Sequence, residues 1–273
     1  AQYAVPDLAR ALAFAGDYPA LEEELRRAPE PSPIWLAHAV AAQGRRAEAV
    51  AGLDALLRRA GEGRDRLDLR FVRALLLAGD GRAERVWADA RALRSADAHH
   101  AGWLAVHLAR LGDAEHAREL AAGLAAGSEG HELWLAAAEW KAGRGAEARA
   151  RLRALEVRNP VPRAAMAPAF LRGEIASDEG LDAEAVEALR SWLGLYPLGP
   201  WRSWAYPRSL FLLARSLERL GQRDEARAEV SRLLRLWSRA DEGIPMLAEA
   251  RALRARLASP GPAEAPGPVS DPK

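Results

Sequence analysis

The chain has 273 residues, no cysteine, and a formal charge of +1 from 39 basic and 38 acidic side chains. Without cysteine there are no disulfides, thiol nucleophiles or cysteine-ligated zinc or iron–sulfur centres, and the balanced charge gives no ground for a nucleic-acid or membrane polyanion as partner. Ala, Leu, Arg and Glu dominate, threonine is absent and isoleucine stands only at Ile34, Ile175 and Ile244, so helices are favoured and strands starved: the expected class is all-α.

In chain order, seven glycine turns separate alanine-rich helical stretches: Gly16-Asp17, Gly44-Arg45, Gly81-Arg82, Gly112-Asp113, Gly143-Arg144, Gly180-Leu181 and Gly221-Gln222. Residues around the turns recur at fixed offsets. Seven before each glycine stands a small residue: Ala9, Ala37, Ala74, Ala105, Ala136, Gly173 and Ala214. Five after it come Leu21, Ala49, Val86, Ala117, Ala148, Ala185 and Ala226, and twelve after it Ala28, Leu56, Leu93, Leu124, Leu155, Trp192 and Leu233. A repeat at this spacing predicts stacked helical hairpins in series, with no single hydrophobic centre.

The columns predict the packing. A small residue before the turn lets the two helices of a hairpin approach closely, and the leucine column fills the space to the next hairpin. Replacing Leu56, Leu124 or Leu155 by Ala is expected to cost about 2–5 kcal/mol. Asp17, Asp113, Asp182 and Asp224 fall near second-helix starts, where a carboxylate caps free N–H groups. Pro33, Pro160 and Pro197 mark the joints between repeats. After Pro245, the spacing of Met246, Ala250, Leu253 and Leu257 predicts a capping helix over 245–257. The array is expected to span 1–258, and the Pro-rich segment 259–273 to be a disordered tail.

The stretches Leu104-Ala105…Leu111-Gly112-Asp113…Ala117 and Gly180…Ala185…Leu195-Tyr196-Pro197 resemble the tetratricopeptide repeat. The mid-helix aromatic of that family is missing from most repeats, and Trp35, Trp103 and Trp134 sit two places later than its usual tryptophan. The resemblance implies a right-handed superhelical solenoid of about seven hairpins with a peptide-binding concave face. The closing segment, Leu213-Ala214-Arg215…Gly221…Leu236-Trp237…Pro245…Glu249-Ala250-Arg251, is similar to the last repeat of bacterial signalling proteins that carry a serine/threonine kinase or transcription-regulator domain upstream. That implies a regulatory module joined to an upstream effector domain. The uncovered Leu8 and Leu12 and the initial Ala fit a fragment or mature product. With no signal peptide and no apolar run of the roughly eighteen residues a membrane span needs, a cytoplasmic protein is expected, without membrane or nucleic-acid partner.

Catalytic signatures are lacking. Two lysines, Lys141 and Lys273, leave no phosphate-binding loop. Gly127-Ser128-Glu129-Gly130 lacks the spacing of a nucleophile elbow. His99, His100, His107 and His116 read as polar residues of a solvated helix, and Glu22-Glu23-Glu24 and Asp182/Glu184/Glu187 as solvated caps. No cofactor or metal is implied. The concave columns of the resembled family fall here on Tyr3, Arg10, His38, Phe71, His99, Val106, Trp140, Phe170, Glu174, Arg208, Phe211, Arg215 and Glu218. Trp140, Phe170, Arg208, Phe211 and Arg215, with Arg219 beside them, suit an extended peptide with apolar anchors and an acidic group. The insertion 198–207 adds Trp201, Trp204 and Tyr206, either as an exposed recognition loop or folded under the last hairpin. The single Asn159 rules out the family's Lys/Asn carboxylate clamp. The function expected is a non-enzymatic protein- or peptide-binding scaffold. The alternatives are an all-α toroidal carbohydrate enzyme, marked by a deep pocket with two facing acids, and a helical-repeat RNA reader.

Overall fold

The computed structural model describes residues 7–30, 32–79, 82–94, 98–158, 162–194 and 202–259. Among them there are fifteen helices and no strand, arranged as seven hairpins and a final helix. The hairpins are α1 (Asp7–Ala15) with α2 (Tyr18–Arg27), α3 (Pro33–Ala42) with α4 (Arg46–Arg59), α5 (Arg64–Gly79) with α6 (Ala83–Leu93), and α7 (Ala98–Arg110) with α8 (Ala114–Ala121). They continue as α9 (Glu129–Lys141) with α10 (Gly145–Arg158), α11 (Pro162–Asp178) with α12 (Asp182–Gly194), and α13 (Arg202–Arg219) with α14 (Arg223–Leu236). The closing helix α15 (Pro245–Ala258) covers α14.

The turns form for a local reason. Gly16, Gly44, Gly112, Gly143, Gly180 and Gly221 all have φ between +73° and +85°, a left-handed conformation that costs glycine nothing and other L-residues strain. At Gly112 the reversal lets the Gly112 and Asp113 amides donate to the Ala109 and Leu108 carbonyls at 3.0 and 2.9 Å, closing α7. Gly81 lies outside the described residues. Asp17 and Asp113 then cap the next helices, accepting from the Ala20 and His116 amides at 3.2 and 3.3 Å. Asp182 and Asp224 stand in the first turns of α12 and α14. Ser128 is the N-cap of α9, accepting from the His131 amide at 3.3 Å. Pro33 opens α3; Pro160, Pro197 and the predicted tail from residue 260 lie outside the described residues.

The small column is buried throughout, from Ala9 to Ala214. At Gly173 an added Cβ would stand 2.8 Å from Leu189 Cγ, so the α11–α12 approach needs glycine. The leucine column holds at Leu93, Leu155, Trp192 and Leu233, all buried, but Leu56 and Leu124 are only half-buried. In α4 the inward face is turned by one residue, and Leu53 and Leu57 take the interior. Leu124 lies beyond the end of the eight-residue α8. In α15 likewise the buried stripe begins at Leu247 rather than Met246.

The hairpins lean on one another in series as expected, without one common centre, and in addition the two ends of the array meet. Hairpins two to five, with Leu171 and Ile175 of α11, share one hydrophobic core, whereas Ala9, Ala13, Tyr18, Leu21, Ala39 and Ala42 belong to a second core with Val186, Leu189 and Trp192 of α12 and with Tyr206, Leu210, Leu213 and Trp237. α13 packs along α3, so the array returns on itself. The Trp237 indole donates to the Ala42 carbonyl at 3.0 Å, the Asp241 amide to the Gly44 carbonyl at 3.1 Å, and Arg232 to the Ala15 carbonyl at 3.3 Å. Tyr18 and Tyr206 meet ring to ring at 5.5 Å. The first hairpin, expected to lack a cap, is covered by the seventh, although Leu8 stays exposed. Tyr206, Leu210, Leu213 and Trp237 of the seventh hairpin supply the apolar surface on which the first two hairpins rest.

Candidate functional site

Six of the thirteen predicted concave positions are interior rather than exposed. His38, Phe71, Val106, Phe170, Glu174 and Phe211 are all buried. What remains of the groove is a cavity of about 990 Å³ bounded by α4, the C-terminal ends of α5, α7, α9 and α11, α13, and the α14–α15 connection. First helices converge there because each ends at a glycine turn on the same side of the array.

Glu174 organises one wall. It is fully buried on α11 and takes two hydrogen bonds from Arg110, at 2.7 and 2.6 Å, and one from Arg208, at 2.5 Å. Burial alone would raise this carboxyl, but the charges and hydrogen bonds of Arg110 and Arg208 outweigh it and bring it to about 2. Glu174 is therefore a fixed anion that positions two guanidiniums, not a proton donor at neutral pH. Arg110 also lies over the Trp204 ring at 4.8 Å, and His107 and Phe170 meet the same ring edge-on at 4.6 and 5.0 Å. On α9 the Lys141 ammonium stands 3.7 Å over the Trp140 ring. Desolvation in the cavity holds that ammonium below the usual lysine range; Glu174 and Asp178 oppose the shift, and Arg110 and Arg208 add to it.

Of the predicted site residues, Trp140, Trp204 and Arg208 line the cavity together. The others are corrected or set apart. Phe170 and Phe211 are 5% and 6% exposed, packed as core, so neither can serve as a surface anchor. Arg208 is held by Glu174, not free for a partner's carboxylate. Arg215 donates to Asp178 at 3.2 Å and Ser177 at 3.0 Å, and Arg219 to Asp182 at 3.3 Å and the Ser177 carbonyl at 3.0 Å. Both tie α13 to the α11–α12 turn and lie outside the cavity, so the expected C-terminal patch is not one surface. Trp201 lies outside the described residues. Trp204 settles the reading of its own part of the insertion: it folds inward and reaches across to α7.

The histidines are also corrected. His100 and His107 are buried rather than solvated, His100 stacked on Phe71 at 3.9 Å. His116 stacks on Trp87 at 4.2 Å. Among the described residues no three His, Cys, Asp or Glu side chains gather as a metal group would require. Glu22 is buried too, accepting from Gln43 and Arg45, both at 2.7 Å. Sequence reasoning missed Arg110, Lys141 and Asp178. All three stand two residues before a turn glycine, in consecutive repeats, and that polar run in a first-helix column is the signal that could have found them.

The solved structure of a tetratricopeptide repeat protein from Parabacteroides merdae ATCC 43184 is similar over 91% of this chain and 96% of its own, with a TM-score of 0.54 and 14% identity. At that identity the likeness is one of fold. No family model and no curated protein matches the sequence. The chain has the fold of a tetratricopeptide-like array of helical hairpins. Among the described residues no helix is long and apolar enough to cross a membrane.

Proposed function

We propose that the array is a non-enzymatic interaction module that holds a partner peptide or protein segment in its cavity. The observation behind this reading is the cavity itself. It is about 990 Å³, walled by Trp140 and Trp204 and by charges of both signs on the repeat faces, where this fold usually meets its partners. Trp140, Trp204 and Lys141 form the contact set, with Arg208 held beside them by Glu174, replacing the earlier patch around Phe211 and Arg215. Residues 1–258 act as one unit, the regulatory part of a larger cytoplasmic bacterial signalling protein with an effector domain upstream. The closing-repeat motif around Leu213–Arg251 supports that context.

A deep pocket with acids is also what the toroidal carbohydrate enzyme called for, but the acid does not suit it. Such hydrolysis needs one carboxyl raised to hold a proton, whereas Glu174 is brought down to about 2 by two arginines. The test is selection of displayed random peptides on the purified chain. A consensus peptide is expected, with its calorimetric affinity lost in Trp140→Ala and Lys141→Glu. Failure to recover a consensus, or equal affinity for both variants, overturns the reading.

A further inference from the structure

The cavity lining carries six cations, Arg46, Arg82, Arg85, Arg110, Lys141 and Arg208, and six acids, Asp54, Glu174, Asp178, Asp241, Glu242 and Glu249. Formal charge balances, but the pairings do not. Asp54 takes a 2.5 Å bond from Arg73, Asp178 one of 3.2 Å from Arg215, and Glu242 one of 3.0 Å from Arg251. None of those three arginines belongs to the lining. Asp241 caps α4, accepting from the Ala47 amide at 3.0 Å. Glu174 is shared by Arg110 and Arg208.

Three backbone acceptors at the helix ends are occupied as well. Arg46 donates to the Gly79 carbonyl at 2.7 Å, and the Gly112 and Gly143 amides donate to the Ala109 and Trp140 carbonyls at 3.0 and 2.9 Å. Among the described residues Glu249, exposed on α15, is the one lining acid with no hydrogen bond or ion pair, and it is one against three cations that hold no carboxylate closely, so positive charge is left over. Arg82 is exposed, and among the described residues its side chain makes no hydrogen bond or ion pair. Arg85 reaches Asp54 only at 4.0 Å, and Arg73 already holds that carboxylate. Lys141 rests on an indole rather than on a carboxylate.

We infer that the cavity takes an acidic stretch of the partner peptide, its carboxylates set against Arg82, Arg85 and Lys141. This rests on the interaction-module reading and names the partner's chemistry. A carboxylate arriving beside Lys141 favours its charged form, as Glu174 and Asp178 already do. A flat aromatic ligand gains less, because Trp140 and Trp204 each already have a cation over the ring.

The test titrates the full chain with three peptides of equal length and equal apolar content, Glu-rich, Gln-rich and Lys-rich, and with inorganic phosphate. Only the Glu-rich peptide is expected to bind, less tightly as salt rises. Its affinity should fall roughly tenfold or more in Arg82→Glu/Arg85→Glu, and also in Lys141→Met. Matching thermal melts establish that both variants are folded, and Lys141→Met serves alone if the double variant is not. Equal binding of the Gln-rich or Lys-rich peptide, equal binding of free phosphate, or a Glu-rich affinity indifferent to the variants overturns the inference. If a neutral or basic peptide binds and Trp140→Ala abolishes it, the interaction-module reading stands and only the acidic partner falls. If neither these peptides nor the displayed library binds, both fall.

Discussion

The middle hairpins and the seam between the chain's ends are held by different means. From α5 to α10 each hairpin meets the next through the same small and apolar columns, so the contacts are local and the design is redundant. The seam uses single residues that recur in no column. Trp237 bonds a carbonyl 195 residues away, Asp241 an amide 194 away and Arg232 a carbonyl 217 away. A repeat array can lose one column contact and keep its neighbours. The seam has no spare copies, and its residues Asp241 to Met246 form part of the cavity wall.

The largest effect should therefore come from Trp237→Ala. The side chain is 2% exposed and donates to the Ala42 carbonyl, so about 3–5 kcal/mol is expected from denaturant midpoints. Hydrogen exchange should quicken in α1 to α4 and α13 to α15 together and leave α7 to α10 protected. Leu155→Ala, of comparable burial in the series, should loosen only its neighbours. Equal loosening of both regions by Trp237→Ala would erase the distinction.

Two glycines separate conformation from closure. Gly44 and Gly112 share the left-handed turn, at φ +78° and +85°. An added Cβ at Gly44 would stand 2.5 Å from Ala240 Cβ across the seam, while at Gly112 nothing lies within 4 Å. Gly112→Ala should cost about 1 kcal/mol from the backbone alone. Gly44→Ala should cost about 1–3 kcal/mol more. Thermal melts of the two variants measure the difference, and equal costs would mean the seam yields freely.

The most gradual effect is set by pH. His38, on α3 at the seam, and His107, on α7 in the series, are both brought down to about 3 by desolvation, with Arg110 adding to the shift at His107. A lowered histidine means the unfolded chain binds the proton first. The stability is whole above the ordinary value near 6.5 and is lost as pH falls from there toward 3. Each histidine contributes at most about 1.4 kcal/mol per pH unit in that window. Urea midpoints should decline below about pH 6.5, and His38→Leu and His107→Leu should each flatten the slope. An unchanged slope in either would show that its ring is already charged or exposed.

The hairpins and their turns were legible because glycine at a left-handed turn and a small residue at a helix crossing are demands of local backbone geometry, written once per repeat. The site was legible only in part. Trp140, Trp204 and Arg208 fall in it, but Phe170 and Phe211 satisfied the same pattern and became core. A column places a residue on the inner face of its helix without saying what else reaches that face. Arg110, Lys141 and Asp178 were overlooked because charge near a helix end has a local explanation at every single repeat.

By itself, then, the sequence determined the helices, their pairing and the order in which they stack, since short-range contacts decide all three. Only the tertiary structure decided that the seventh hairpin meets the first two, which acids keep a partner and which cations do not. These outcomes depend on curvature summed over seven hairpins, where small rotations at each joint add up to bring Trp237 to Ala42.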